Sequence, residues 1–192
     1  MGLSSTANPF KENTIIMRQR ISIIVGIAVV ALVVVGGALG AALVPTATIS
    51  GTAGISLNMP ANPSFTDTLD GTDQTVNYAP LLGVVDARGS GAGWNLQVSA
   101  TSFSDGAGHT LAQGTVTAAG QACKAGSTCT LATNGISPPL TITAVAAKFF
   151  NAAINTGLGK LDITPTIAVA IPGNAYAGTY TSTVTLAATT GP

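Results

Sequence analysis

The sequence predicts an all-β protein built from antiparallel sheets, and three observations support that class. Several stretches alternate apolar and polar residues, the segments between them are rich in Gly, Pro, Asn and Asp, and only 7% of the 192 residues are charged. Period two sends successive side chains to opposite faces of a strand, so such alternation marks a half-buried strand rather than a helix. Typical soluble chains carry about 25% charged residues. Here Thr, Ser, Gly and Ala fill those places. Branched Thr suits a pleated surface, and Gly and Pro suit turns. The expected outer face is hydroxyl-rich.

The chain opens differently. Lys11, Arg18 and Arg20 precede residues 21–44, which carry no charge and begin with a run dense in Ile, Val, Ala and Leu. That predicts an N-terminal hydrophobic helix long enough to cross a bilayer. Two readings fit. One is a cleaved signal peptide, with Gly36 and Gly37 ending the apolar centre and small residues at Ala38, Gly40 and Ala42. The other is a retained membrane anchor. Both keep the basic flank inside and place Thr46 onward outside the cytoplasm, which implies Sec-type export to the cell surface or beyond. The expected division is residues 1–42 as extension plus signal or anchor, and residues 43–192 as one β domain. Membrane contact is expected only through the first part.

Within the domain, residues 43–57 place Leu43, Pro45, Ala47, Ile49, Gly51, Ala53, Ile55 and Leu57 on one face. Trp94, Leu96, Val98 and Ala100 alternate with Asn95, Gln97, Ser99 and Thr101. Leu161, Ile163, Pro165, Ile167, Val169 and Ile171 form a third apolar face, and Tyr176, Tyr180, Val184 and Leu186 a fourth. Shorter strands are expected over residues 74–78, 81–86, 111–118 and 140–145. Turn-forming residues separate them at Asp70-Gly71, residues 88–93, residues 105–108 and Pro172-Gly173-Asn174. The one helical candidate is residues 146–155, where Ala, Lys and Phe support a turn or two. Many short strands with regular turns predict a sandwich of antiparallel sheets, immunoglobulin-like in class.

Charge excludes one group of functions. Residues 43–192 carry Arg88, Lys124, Lys148 and Lys160 against six aspartates, a net of −2, so no basic stripe exists to neutralise nucleic acid. Cys123 and Cys129 are the only cysteines. In an exported chain such a pair closes a small loop as a disulfide, and the single histidine, His109, does not complete a metal set. Ser104, Asp105 and His109 neighbour one another in a glycine-rich loop, whereas a catalytic triad needs convergence from a rigid scaffold. Asp67, Asp70 and Asp73 admit two readings, oxygen ligands for a calcium ion or a solvated acidic turn, and the absence of EF-hand spacing and of a closing Glu favours the turn. No phosphate-binding glycine loop precedes a helix. No cofactor, no metal and no enzymatic activity are expected.

Trp94 and Leu96 admit two readings, an inward core pair or a ligand-contacting pair, and the inward period favours the core. Asp86 and Arg88 are spaced for a carboxylate–guanidinium contact that fixes the bend into this strand, while Gly89, Gly91 and Gly93 permit tight turns. The block from Asp86 through Arg88-Gly89 to Gly93-Trp94-Asn95-Leu96 resembles the first signature of the WxL-type bacterial cell-surface proteins, and residues 171–186 resemble that family's last strand. The resemblance implies a surface β-sandwich with a structural or binding role, whose partners are a cell-wall polymer or other surface proteins. The sequence departs from the family where a second Trp-x-Leu is usual: Val184-Thr185-Leu186-Ala187-Ala188 stands there. The resemblance implies a non-covalent wall association, and no Leu-Pro-x-Thr-Gly is present in the sequence to support a covalent one. An alternative of another class is a pilus-like extracellular filament that self-assembles by donor-strand exchange through residues 43–57.

Overall fold

A computed structural model describes residues 47–51, 54–60 and 62–192. The expected N-terminal helix lies outside the described residues, and among these no helix is long and apolar enough to cross a membrane. Within residues 50–192 the strands run in the order β1 (Ile55–Asn58), β2 (Gln74–Tyr78), β3 (Leu82–Asp86), β4 (Trp94–Ala100), β5 (Phe103–Ser104), β6 (Thr110–Leu111), β7 (Thr115–Cys123), β8 (Leu140–Thr141), β9 (Ala147–Ala152), β10 (Gly159–Ile171) and β11 (Val184–Thr190).

Among the described residues every pairing is antiparallel. The larger sheet runs β1-β3-β10-β7-β8, with β2 also on β10, and a second sheet runs β11-β4-β9. The long strand β10 organises the first of these. Along one edge it pairs with β3 from Gly159 to Ile163 and with β2 from Ile167 to Ile171, while β7 pairs along the other. Pro165, which has no N–H to donate, lies at the break between β3 and β2, where a missing ladder bond is tolerated. Its inward face, Leu161, Ile163, Pro165, Ile167, Val169 and Ile171, is buried as its alternation predicts.

Leu161 and Ile163 of the larger sheet share one buried cluster with Trp94, Leu96, Phe149 and Phe150 of the smaller sheet. An apolar pocket of about 150 Å³ opens to the surface beside this core, lined from exposed Met59, Pro60 and Pro63 inward to Leu82, Val98 and Phe149.

The strand expected over residues 111–118 is broken into Thr110–Leu111 and Thr115–Cys123, that over 140–145 is only Leu140–Thr141, and three further expectations need correction. Residues 146–155 are not helical; β9 pairs with β4 through a bulge that skips Phe149, with Phe150 opposite Leu96 and Lys148 opposite Gln97. The bulge lets both phenylalanines face the core, and burying two adjacent aromatics outweighs the weak helical preference of the flanking alanines. Of the strand expected over residues 43–57, the described residues show strand at Ile55–Asn58 and none at 47–51, and residues 43–46, 52 and 53 lie outside the described residues. Ile55 lies opposite Asp86, the last residue of β3, so no partner strand extends further. The fourth alternating face starts late for the same reason. Val184 lies opposite Ala100, where β4 ends, and the preceding chain holds an isolated bridge in which Ser104 and Thr181 exchange two backbone bonds of 2.9 Å.

Candidate functional site

The block from Asp86 to Leu96 spans the end of β3, a glycine-rich turn and the start of β4. Arg88 folds back on Asp86 and donates from Nε to Oδ1 at 2.9 Å and from Nη2 to Oδ2 at 2.8 Å. The Arg88 backbone N–H donates to Asp86 Oδ1 at 3.1 Å. This is a two-pronged contact between a fully buried carboxylate and a guanidinium side chain only 15% exposed. The Arg88 hydrogen bond holds the Asp86 carboxyl below its ordinary range, against the opposing effect of burial.

The same guanidinium reaches two other segments. Nη2 donates to the Gly93 carbonyl at 2.8 Å, and Nη1 donates to Thr190 Oγ1 at 3.0 Å. Gly93 O also accepts the Gly191 N–H at 3.1 Å. Gly93 has φ +71°, and a Cβ there would stand 2.5 Å from the Ala152 carbonyl, so only glycine fits. One arginine thus joins the end of β3, the entry to β4 and the end of β11.

Trp94 and Leu96 are both 0% exposed. The indole N–H donates to the Gly157 carbonyl at 2.8 Å, and the ring stacks on Phe150 with centroids 5.8 Å apart. Gly157 is held close: a Cβ on it would lie 2.7 Å from the indole nitrogen. β11, which holds residues 184–188 in place of a second Trp-x-Leu, pairs directly with β4, setting Leu186 opposite Val98 and Ala188 opposite Leu96.

Sequence reasoning missed Asn95. It falls on the polar phase of β4 yet is buried, donating to the Gly191 carbonyl at 2.7 Å and accepting from Thr189 Oγ1 at 2.8 Å. An amide flanked by Trp and Leu in a strand was the available signal. Thr190 and Gly191 carried no signal, because their partners lie about a hundred residues away.

Cys123 and Cys129 form a disulfide with Cα atoms 5.5 Å apart. Beyond it, Thr130 N donates to the Leu158 carbonyl at 2.9 Å, and Gly157 N donates to the Leu131 carbonyl at 3.3 Å. The disulfide therefore steadies the segment that borders the turn carrying the tryptophan's acceptor. Replacing both cysteines by serine is expected to lower stability by about 2–3 kcal/mol, because the closed loop is short. Urea unfolding of the double variant checks this, and an unchanged midpoint would refute it.

The other candidate groups are occupied locally. Asp67 Oδ1 accepts from Thr68 N at 2.9 Å, Asp70 Oδ1 from Thr72 N at 2.9 Å, and Asp73 Oδ1 from Gly173 N at 2.9 Å. Among the described residues no group of three or more His, Cys, Asp and Glu is placed to hold a metal ion. His109 pairs through Nδ1 with Asp105, and the Ser104 hydroxyl accepts from Gly106 N at 3.2 Å.

The lowered carboxyls give a pH prediction. Thr72 lowers Asp70, His109 lowers Asp105 and Arg88 lowers Asp86, the last of these buried. A carboxyl that titrates lower when folded stabilises above its unfolded pKa of about 3.9, and that contribution disappears as pH falls through the folded value. Urea midpoints are expected to hold steady from neutrality toward pH 4 and to fall below it. Asp86→Asn should make that acid fall shallower; an equally steep fall would remove Asp86 from the explanation.

Among the described residues the buried ion pair Asp86–Arg88 ties strand ends of this all-β domain together. Residues 46–191 match the WxL domain, described as surface cell wall-binding. The chain belongs to this family. It is accordingly a cell-surface protein associated with the cell wall, and its family is one of binding domains. Comparison with curated proteins and with solved structures returned no match.

Proposed function

We propose that residues 43–192 form an immunoglobulin-like domain that attaches non-covalently to a cell-wall polymer and takes part in surface assemblies without catalysing a reaction. In this reading residues 1–42 direct Sec-type export and serve as signal peptide or anchor, the only part that meets the membrane. The observation that carries the reading is the family match over residues 46–191. In this reading Trp94, Leu96, Asp86, Arg88 and Gly93 build the domain and the surface does the binding, which the enclosure of Trp94 and Leu96 supports. Pull-down with isolated wall sacculi tests this. Wild type and a folded Trp94→Phe variant are both expected to sediment with the walls, and failure of the wild type to do so would overturn the reading.

A second reading, strand donation between copies through residues 43–57, draws on Ile49, which is 94% exposed upstream of β1. The pairing of Ile55–Asn58 with β3 of the same chain weighs against donation of the whole stretch. Electron microscopy of the purified exported protein separates the two, and globular particles alone would reject the filament.

A further inference from the structure

If the family's namesake residues are enclosed, contact with a wall polymer must be made elsewhere. Among the described residues Tyr176 is the one aromatic ring in the set of large exposed apolar side chains, at 64% exposure, and it lies on the connection between β10 and β11. Its ring stacks on the His109 imidazole from the β5–β6 hairpin, with centroids 3.8 Å apart and planes 18° from parallel. Asp105 holds that imidazole through Nδ1, and its other oxygen accepts the N–H groups of Ala107 at 2.8 Å and His109 at 3.0 Å. Tyr180 Oη donates to the Tyr176 carbonyl at 2.9 Å, and Ser104 and Thr181 exchange two backbone bonds of 2.9 Å that join the segments. The tyrosine ring is therefore fixed before any ligand arrives, which spares the ordering cost of binding.

The surroundings select a ligand class. Residues 163–192 contain no charged side chain and so offer an anionic polymer no lysine or arginine, and the carboxylate at the cluster, Asp105, is already engaged by His109. Ser104, Thr179, Thr181 and Ser182 supply neutral hydroxyls nearby in the chain. An aromatic face carries negative quadrupolar charge, and the C–H bonds on one side of a pyranose ring present a complementary weakly positive face. We propose that Tyr176, backed by His109 and oriented through Asp105, is a stacking site for a sugar ring of an uncharged wall glycan. The proposal rests on the wall-association reading and names the contact that would serve it.

The test uses the full chain in mild detergent and a β-1,4-linked N-acetylglucosamine tetramer as probe. Its titration is followed through the ring proton resonances of Tyr176 and His109, beside sacculus pull-down. Wild type is expected to bind the tetramer with shifts at both rings. Tyr176→Ala should weaken binding by about tenfold or more, as loss of an anchoring contact does, and Tyr176→Phe should keep it. Thermal melts of each variant establish that it is folded. Absence of tetramer binding by wild type, or equal binding by folded Tyr176→Ala, overturns the site whatever the walls do. Binding of the tetramer at Tyr176 without sedimentation on sacculi upholds the sugar site and overturns the wall reading instead. Shifts at Tyr176 with a polyglycerol phosphate but none with the tetramer would overturn the ligand class.

Discussion

Trp94→Ala is expected to lower the unfolding free energy by about 3–5 kcal/mol, the range for deleting a large buried aromatic. The ring is wholly enclosed, stacks on Phe150 and bonds the Gly157 carbonyl. Truncation opens a cavity between the two sheets and leaves that carbonyl without its donor. A domain of this size has about 5–15 kcal/mol in hand, so the variant is destabilised enough to populate unfolded chain on modest heating. Trp94→Phe separates the two causes. It keeps most of the apolar volume and loses the N–H, for a cost of about 1–3 kcal/mol. Urea unfolding measures both, and a loss under about 1 kcal/mol for alanine would contradict the enclosed position.

The strands whose two faces meet different environments were legible from alternation. β2 matches its expected bounds, and β4 and β10 differ from theirs by one or two residues, because one side of each meets the core and the other does not. β9 was not legible: its bulge puts Phe149 and Phe150 on one face, which erases period two. The ends of β1 and β11 were also hidden, since each stops where its partner stops, and pairing is not a property of local sequence. The site divides in the same way. The Asp86–Arg88 contact is two residues long and readable from spacing, whereas the bonds to Thr190 and Gly191 cross the whole domain. Asn95 shows the limit most clearly, because a buried amide on the polar phase of a strand makes sense only once its partners Thr189 on β11 and Gly191 just after it are in place.

Arg88→Met should cost about 3 kcal/mol, the lower part of the range for breaking a buried ion pair, since the guanidinium retains some solvent contact. The loss comes chiefly from Asp86, whose buried carboxylate would keep only the Arg88 backbone N–H. Asp86→Asn in the same chain removes that stranded charge, so the double variant should be more stable than the sum of the single losses predicts. Arg88→Lys is not a conservative rescue. One ammonium cannot reproduce the two-pronged grip on Asp86 while also reaching Gly93 O and Thr190 Oγ1. The location of the damage distinguishes this account from a merely local one. If Arg88 ties β11 to the entry of β4, hydrogen exchange in Arg88→Met should accelerate at Gly191, whose N–H meets Gly93 O, before it does in the centre of β10. Uniform acceleration across the domain would mean that Arg88 supports global stability without fastening that strand end.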